Sequence, residues 1–265
     1  MGAFHEFEHQ GWERAAAHYT TSFGELTALA AEPLLAAARV AAGTRVLDVA
    51  TGPGYVAAAA AARGARVTGI DFSAEMLAAA RQLYPAITFR AGDAEALAEP
   101  DASHDAVVMS FGLLHLERPE AAIGEAHRVL VPGGRYAFTV WAPPALARGF
   151  GIVLEALAAH GTLDVGLPEG PPFFRFADPV EARGALARFR DVTVTTLPLV
   201  WRIGSPEQLF EAALRGGVRT SAVMQAQTPA ALAAVRVAIH AGCAAHADGD
   251  GYAIPMPVVL ASGTK

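Results

Sequence analysis

The sequence predicts a doubly wound α/β fold, on three observations. A short apolar strand at Arg45–Val49 runs into a glycine turn, Thr51-Gly52-Pro53-Gly54, that opens an Ala-rich helix reaching about Arg63. A second apolar strand, Ala65–Ile70, ends in Asp71, 19 residues beyond Gly52. Further apolar strands then alternate with helical stretches as far as Trp141, the pattern of parallel strands joined by crossover helices.

Taken in order, residues 1–43 read as helices, Trp12–Tyr19 first and Leu26–Val40 after it, with Pro33 interrupting or starting the second. In the first strand Val46, Leu47 and Val49 suit a buried parallel strand, and Gly52 and Gly54 permit a tight turn whose bare backbone can approach a ligand. A helix from Ser73 to Tyr84, capped by Ser73, stops before Pro85; a strand Ile87–Arg90 and the loop Gly92-Asp93-Ala94-Glu95 follow. The fourth strand, Asp105–Ser110, brings Ser110 and Phe111 to its carboxyl end, where open α/β sheets bind ligands. A helix Pro119–Leu130 and a turn Val131–Gly134 lead into a fifth strand, Arg135–Trp141. Beyond it Pro and Gly cluster, marking an inserted lid over 142–190 with helices near Leu146–His160 and Pro179–Phe189. Then come a strand Val192–Arg202, a second insertion over 203–250 with helices near Pro206–Arg215 and Pro229–Ala247, and a last strand Ile254–Ser262. The whole, 1–265, reads as one elaborated domain with 1–43 as an N-terminal helical cap.

Strand, glycine turn and helix N-terminus together form a nucleotide-binding device. Asp71 falls where an acid accepts hydrogen bonds from ribose hydroxyls, the alternative being a helix cap, a role Ser73 already fills. Asp48 separates two kinds of ligand. A dinucleotide would set a doubly anionic pyrophosphate beside this carboxylate and be repelled, whereas S-adenosylmethionine presents an ammonium and a sulfonium there.

The run Asp48-Val-Ala-Thr-Gly52-Pro-Gly54, then Gly69-Ile-Asp71 and Gly92-Asp93-Ala94, resembles the successive motifs of class I S-adenosylmethionine-dependent methyltransferases. Asp105–Leu113 and Arg128–Arg135 resemble the fourth-strand motif and the turn before the fifth strand, as in the C-methyltransferases of menaquinone and ubiquinone biosynthesis. The motifs cover about residues 45–141. The resemblance implies a Rossmann-like seven-stranded sheet of order 3-2-1-4-5-7-6 with the last strand antiparallel, bearing helical cap insertions. It implies S-adenosyl-L-methionine as cofactor, held by Asp48, Ala50, Gly52, Gly54, Asp71, Phe72, Met76, Asp93, Ala94, Ser110 and Phe111, with Tyr19 of the N-terminal segment reaching the methionine carboxylate. Where the quinone enzymes carry Arg-Asn after Phe-Gly-Leu, this chain has Leu114-His115, a departure that bears on the acceptor and leaves the cofactor untouched.

Composition removes other classes. A net charge of −6 offers no clustered cationic footprint for nucleic acid. The lone lysine, Lys265, rules out a Walker lysine, a Schiff base and the Tyr-x-x-x-Lys pair of short-chain dehydrogenases, which weakens the NAD(P)-dependent oxidoreductase alternative. The single cysteine, Cys243, reads as core, belongs to no metal spacing and makes no internal disulfide. No apolar run reaches membrane-spanning length and the first ten residues are too polar for a signal peptide, so a cytoplasmic protein is expected, with no metal and no membrane partner. A homodimer is compatible with the sequence.

A sulfonium methyl is already activated, so alignment supplies most of the acceleration, and a base is needed only for an acceptor with a proton to lose. His18 and His115 are the candidate bases. Phe111, Trp141, Phe173, Phe174, Phe176 and Trp201 are candidate walls of an acceptor pocket. The expected activity is therefore methyl transfer to a small aromatic or hydrophobic molecule; the remaining alternative is a protein of this fold that binds the cofactor without methylating.

Overall fold

A computed structural model describes residues 2–265. The chain begins with α1 (Ala3–Tyr19), which buries Phe4, Glu8, Gly11 and Ala15, a spacing that keeps one stripe inward. Gly11 is required in that stripe because a Cβ there would lie 2.3 Å from Val218 Cγ1. A π-helical turn, Thr20–Gly24, leads to α2 (Glu25–Ala28) and α3 (Ala31–Ala37). The helix expected over Leu26–Val40 is thus broken at Leu29–Ala30, just before Pro33 in the first turn of α3.

The nucleotide-type unit follows: β1 (Arg45–Val49), α4 (Tyr55–Ala62), β2 (Arg66–Asp71), α5 (Ala74–Leu83) and β3 (Thr88–Ala91). Ser73 caps α5 by accepting from Met76 N at 3.1 Å, as its position predicts. Next come β4 (His104–Ser110), α6 (Pro119–Val129) and β5 (Leu130–Trp141). The predicted Val131–Gly134 turn is a bulge inside β5, with Gly133 at φ +83 and the register to β4 shifting between His104 and Ala106.

The first insertion supplies α7 (Arg148–His160) and α8 (Pro179–Ala185), and β6 (Arg190–Leu197) returns to the sheet. β7 (Val200–Ile203), α9 (Pro206–Arg215), α10 (Arg219–Gln225), α11 (Pro229–Cys243), β8 (Ala247–Asp248), β9 (Gly251–Pro255) and β10 (Val258–Thr264) follow. Each of the two long strands expected near the C-terminal end is in fact two. Pro198 separates β6 from β7, and Pro257 separates β9 from β10, since proline cannot donate to a ladder. The detached pieces form a small antiparallel sheet, β7-β9-β8, that the sequence did not suggest.

The main sheet has the order β3-β2-β1-β4-β5-β10-β6, with β10 antiparallel to both β5 and β6. This is the predicted doubly wound sheet, its seventh position filled by β10. Alternation along the strands divides two cores. Val46, Ala106, Val108 and Ala137 face α3 and α4, whereas Leu47, Val107, Met109, Tyr136 and Phe138 face the side covered by α6 and the insertions. Cys243 is wholly buried, as core.

Candidate functional site

The carboxyl ends of β1, β2, β4 and β5 open onto one cavity of about 1050 Å³, partly open to solvent, with a smaller lobe of about 340 Å³ beside it. The two share Tyr19, Thr27, Ala50, Gly52 and Ser110 in their walls, so they adjoin.

The turn after β1 is built for close approach. Thr51 N donates to Ile70 O at 2.9 Å and Gly52 N to Asp71 Oδ2 at 2.8 Å, which binds the turn to β2. A Cβ on Gly52, at φ +52, would meet nothing within 4 Å: the backbone is bare toward the cavity. Gly54 is different. It caps α4 at φ +87, a Cβ there would lie 2.8 Å from Phe89 Cζ, and it does not reach the cavity; its role is to let the turn pack on β3.

Two non-glycine residues at strand ends, Ala50 at φ +54 and Phe111 at φ +57, sit in the left-handed region, and both line the cavity. Such conformations cost about 1–3 kcal/mol each and persist where surrounding packing enforces them. For Phe111 that packing is a stack on Trp141 with centroids 4.2 Å apart.

One end of the space is acidic. Asp48 is 1% exposed; its Oδ2 accepts from Thr51 Oγ1 at 2.6 Å and its Oδ1 has no partner among the described residues. Burial pushes its pKa up to about 7. Asp71 is likewise raised, to about 6, by burial, against the hydrogen bonds it accepts from Ser73 N (2.9 Å) and Gly52 N. It therefore braces the glycine turn as well as lining the cavity. Asp93 lines the wall too, with Oδ1 accepting from Glu95 N at 2.8 Å; no helix follows it, so it makes a local turn and not a helix cap. Ala94, Phe72 and Met76 flank these acids with apolar surface. Beside Asp48, the Tyr19 hydroxyl donates to Thr27 Oγ1 at 3.0 Å, and burial raises its pKa to about 12.

The other end is aromatic: Trp12, Phe23, Phe111, Trp141, Phe150 and Phe173. Of the aromatics expected there, Phe174, Phe176 and Trp201 stand behind the wall. Phe174 packs on Phe150 and Phe173, Phe176 on Phe138, and Trp201 on Phe23. His115 lines this end, with Nδ1 2.9 Å from Glu8 Oε2; the other Glu8 oxygen accepts from Arg219 Nε at 2.7 Å.

Of the two histidines expected as bases, only His115 is in place. His18 is exposed near the end of α1 and lies outside the cavity, because the buried stripe of that helix runs through Ala15 and Ala16 and Tyr19 turns inward in its stead. Every residue expected to hold the cofactor, except Gly54, lines one lobe or the other. The sequence reading missed Glu8, Phe23, Thr27, Phe150 and the Gly216–Thr220 segment with Arg219. For Glu8 there was a signal, an acid on the apolar stripe of α1; for Arg219 there was none. Among the described residues no group of three or more His, Cys, Asp or Glu is placed to hold a metal ion.

The family model described as methyltransferase domain matches residues 47–138. The chain is 43% identical over 115 residues to a demethylmenaquinone methyltransferase of Thermus thermophilus, covering 41% of this chain and 52% of that protein. To the enzyme of the same name in Deinococcus radiodurans it is 36% identical over 206 residues, covering 69% of this chain and 78% of the relative. The chain spans about half the length, or less, of the Thermus relative and of two further demethylmenaquinone methyltransferases that it matches. Among solved structures, the YcgJ protein of Bacillus subtilis superposes with a TM-score of 0.58 at 18% identity, over 89% of this chain and 98% of that one. An S-adenosylmethionine-dependent methyltransferase of Thermotoga maritima gives 0.56 at 17%, over 97% and 99%. At these identities the structural likeness speaks for the fold alone.

Proposed function

This chain belongs to the class I S-adenosylmethionine-dependent methyltransferases, and we propose that it transfers a methyl group to a small, aromatic or otherwise hydrophobic acceptor. The observation that carries the reading is the single cavity with an acidic end and an aromatic end, meeting where Ala50, Ser110 and Phe111 bring strand ends together. The residues fit the cofactor. The unpartnered Oδ1 of Asp48 suits an ammonium, Asp71 suits ribose hydroxyls, and Asp93 and Ala94 suit an adenine edge flanked by Phe72 and Met76. Tyr19 would reach the methionine carboxylate by turning its hydroxyl from Thr27 Oγ1.

When bound, S-adenosylmethionine supplies a methyl on a sulfonium that takes up the electron pair of the breaking C–S bond and leaves as a neutral thioether. The chain's own part is to hold the acceptor in line and exclude water. The aromatic wall does the first. The segments 1–43, 142–190 and 203–250 act as cap and lids for the second, contributing Trp12, Phe173 and Arg219 respectively. The relatives are named for demethylmenaquinone, and an aromatic ring system of that general kind suits the apolar end. Leu114-His115 in place of Arg-Asn points to a different polar contact with it. No helix among the described residues is long and apolar enough to cross a membrane, and we place the activity in the cytoplasm.

The reading is tested by melting the protein with S-adenosylhomocysteine, NAD and NADP in turn. A ligand at a hundredfold excess over its Kd adds about 2.7 kcal/mol, a rise of roughly 5–10 °C. S-adenosylhomocysteine should give that rise; a rise with NAD or NADP alone would overturn the assignment.

A further inference from the structure

We propose that His115 takes the proton of a phenolic or enolic hydroxyl on the acceptor, and that Glu8 of α1 is the positioning residue that makes it able to. The inference rests on reading the cavity as a methyl-transfer site and adds to it the chemistry of the group that is methylated.

Glu8 has no exposed surface. A carboxylate so placed is strongly unfavourable unless paired and hydrogen-bonded. It is doubly held, with one oxygen on Arg219 Nε at 2.7 Å and the other on His115 Nδ1 at 2.9 Å. Arg219 commits its other nitrogens to Pro171 O and Leu114 O, each at 2.7 Å, and lies over the rings of Phe4 and Phe173. Although it borders the cavity, its hydrogen bonds therefore point to the protein, and its charge is paired with Glu8.

That pairing decides the tautomer of His115. A carboxylate can only accept, so Nδ1 is the donor to Glu8, and in the neutral ring the lone pair is on Nε2. Nε2 has no partner among the described residues, is not among the fully buried unpartnered atoms, and belongs to a residue of the cavity wall, so it is open to the cavity. The ring cannot swing: Trp12 meets it edge to face at 4.8 Å and Phe173 at 5.7 Å. A free lone pair, a fixed ring and a carboxylate behind it are the parts of a general base. It stands in the turn Leu113–His115 directly after β4, at the aromatic end where the acceptor belongs.

A neutral phenol or enol is a weak nucleophile, and its anion is a strong one. In the proposed step the acceptor O–H bond breaks, the proton forms a bond to Nε2, and the electron pair stays on oxygen, conjugated with the ring or double bond. The imidazolium so formed lies against Glu8 and later returns the proton to bulk water through the mouth of the cavity. Because the base is completed by α1 and α10 together, it exists only when both segments are seated on the turn after β4.

The test is spectroscopic and needs no turnover. 4-Nitrophenol is added to the protein with saturating S-adenosylhomocysteine, at a pH about one unit below the phenol's own pKa, where about a tenth of it is ionised in water. Wild type should bind the dye largely as the visible-absorbing phenolate. His115→Asn, which keeps a donor for Glu8, should bind it as the neutral phenol, with the phenolate band of the bound dye reduced about tenfold. Glu8→Gln should lose most of the band with S-adenosylhomocysteine affinity near wild type. If that variant does not fold, Glu8→Asp, which keeps the charge but draws it away from the ring, should show a partial loss. The proposal is overturned if wild type binds the dye only in neutral form, if it binds S-adenosylhomocysteine but no dye, or if His115→Asn keeps the full band. Failure of wild type to bind S-adenosylhomocysteine would instead strike the methyltransferase reading.

Discussion

Asp48→Asn probes the electrostatics on which cofactor choice rests, because it removes a buried charge while keeping its shape and its acceptor for Thr51 Oγ1. Burial raises the Asp48 pKa to about 7, so the ionised carboxylate weakens the ligand-free fold by about 4 kcal/mol relative to an unfolded chain titrating near ~4. The direction with pH follows. A carboxyl raised in the folded state imposes no penalty below the unfolded pKa, an increasing one as pH climbs from ~4 to ~7, and the whole of it above. The amide leaves its own Nδ2 without a partner, at about 1–2 kcal/mol, so the variant should gain about 2 kcal/mol at pH 8. For a chain of this size that is a rise of roughly 4–8 °C in the ligand-free melt. At pH 5 the wild-type penalty has fallen to about a third and the advantage should vanish. With S-adenosylhomocysteine a charge-assisted bond worth ~1.5–3 kcal/mol is lost, so affinity should drop roughly ten- to a hundredfold and the advantage at pH 8 should be cancelled to within about 1 kcal/mol. Melts at both pH values, with and without the ligand, decide the matter. A variant that melts below wild type at pH 8, or keeps the same advantage at pH 5, would refute the reasoning.

Asp71→Ala should weaken S-adenosylhomocysteine binding on the order of a hundredfold and, near pH ~4 where the raised pKa of Asp71 imposes little penalty on wild type, cost about 2 kcal/mol in denaturant unfolding, because Gly52 N and Ser73 N lose their acceptor. An unchanged unfolding midpoint would mean the brace is dispensable. Gly54→Ala should destabilise by about 1–3 kcal/mol, from its φ of +87 and the clash with Phe89, yet leave ligand affinity intact; calorimetric titration of a folded variant with lowered affinity would return Gly54 to the binding surface. Phe176→Ala, in the core at 3% exposure, should cost about 3–5 kcal/mol, while Phe173→Ala, on the cavity wall, should mainly raise the acceptor KM. Equal effects of the two on stability and on KM would show that the Phe cluster is one core.

The sheet was legible where local pattern and tertiary role coincide. Val46, Leu47 and Val49 read as a buried strand because both faces of β1 are covered, and the glycine turn reads as a turn because Gly52 needs a positive φ. Legibility failed where one apolar run serves two sheets. Val192–Arg202 has continuous strand character and keeps one antiparallel register against β9 and β10, Leu197 opposite Val258 and Val200 opposite Pro255 with Met256 N on Leu199 O between them, and only the break at Pro198 and Leu199 assigns its second half to the small sheet. A proline within an apolar run was the available clue, and here it marked a boundary and not an edge strand. α10 had no such clue, since Arg219–Gln225 is short and mixed in polarity and is helical because α9 packs beside it.

The site divides along the same line. Its acidic end is made by residues at fixed distances from the glycine turn, each on a strand end, so spacing along the chain stands in for proximity in space. Its aromatic end is made by contacts between segments far apart in sequence: Glu8 and Arg219 are 211 residues apart and meet through one carboxylate. No period or spacing encodes such a pair. What the sequence does carry is the misfit, an acid in register with Phe4, Gly11 and Ala15 on the inward face of α1. An acid on that stripe requires cationic or donor partners from elsewhere in the fold, and a search among residues facing α1 leads to Arg219 and His115. Asp48 makes the same argument from the other side of the cavity. There Oδ1 has no hydrogen-bond partner among the described residues, so the proposed cofactor would supply one, and a cation suits it where a phosphate would not.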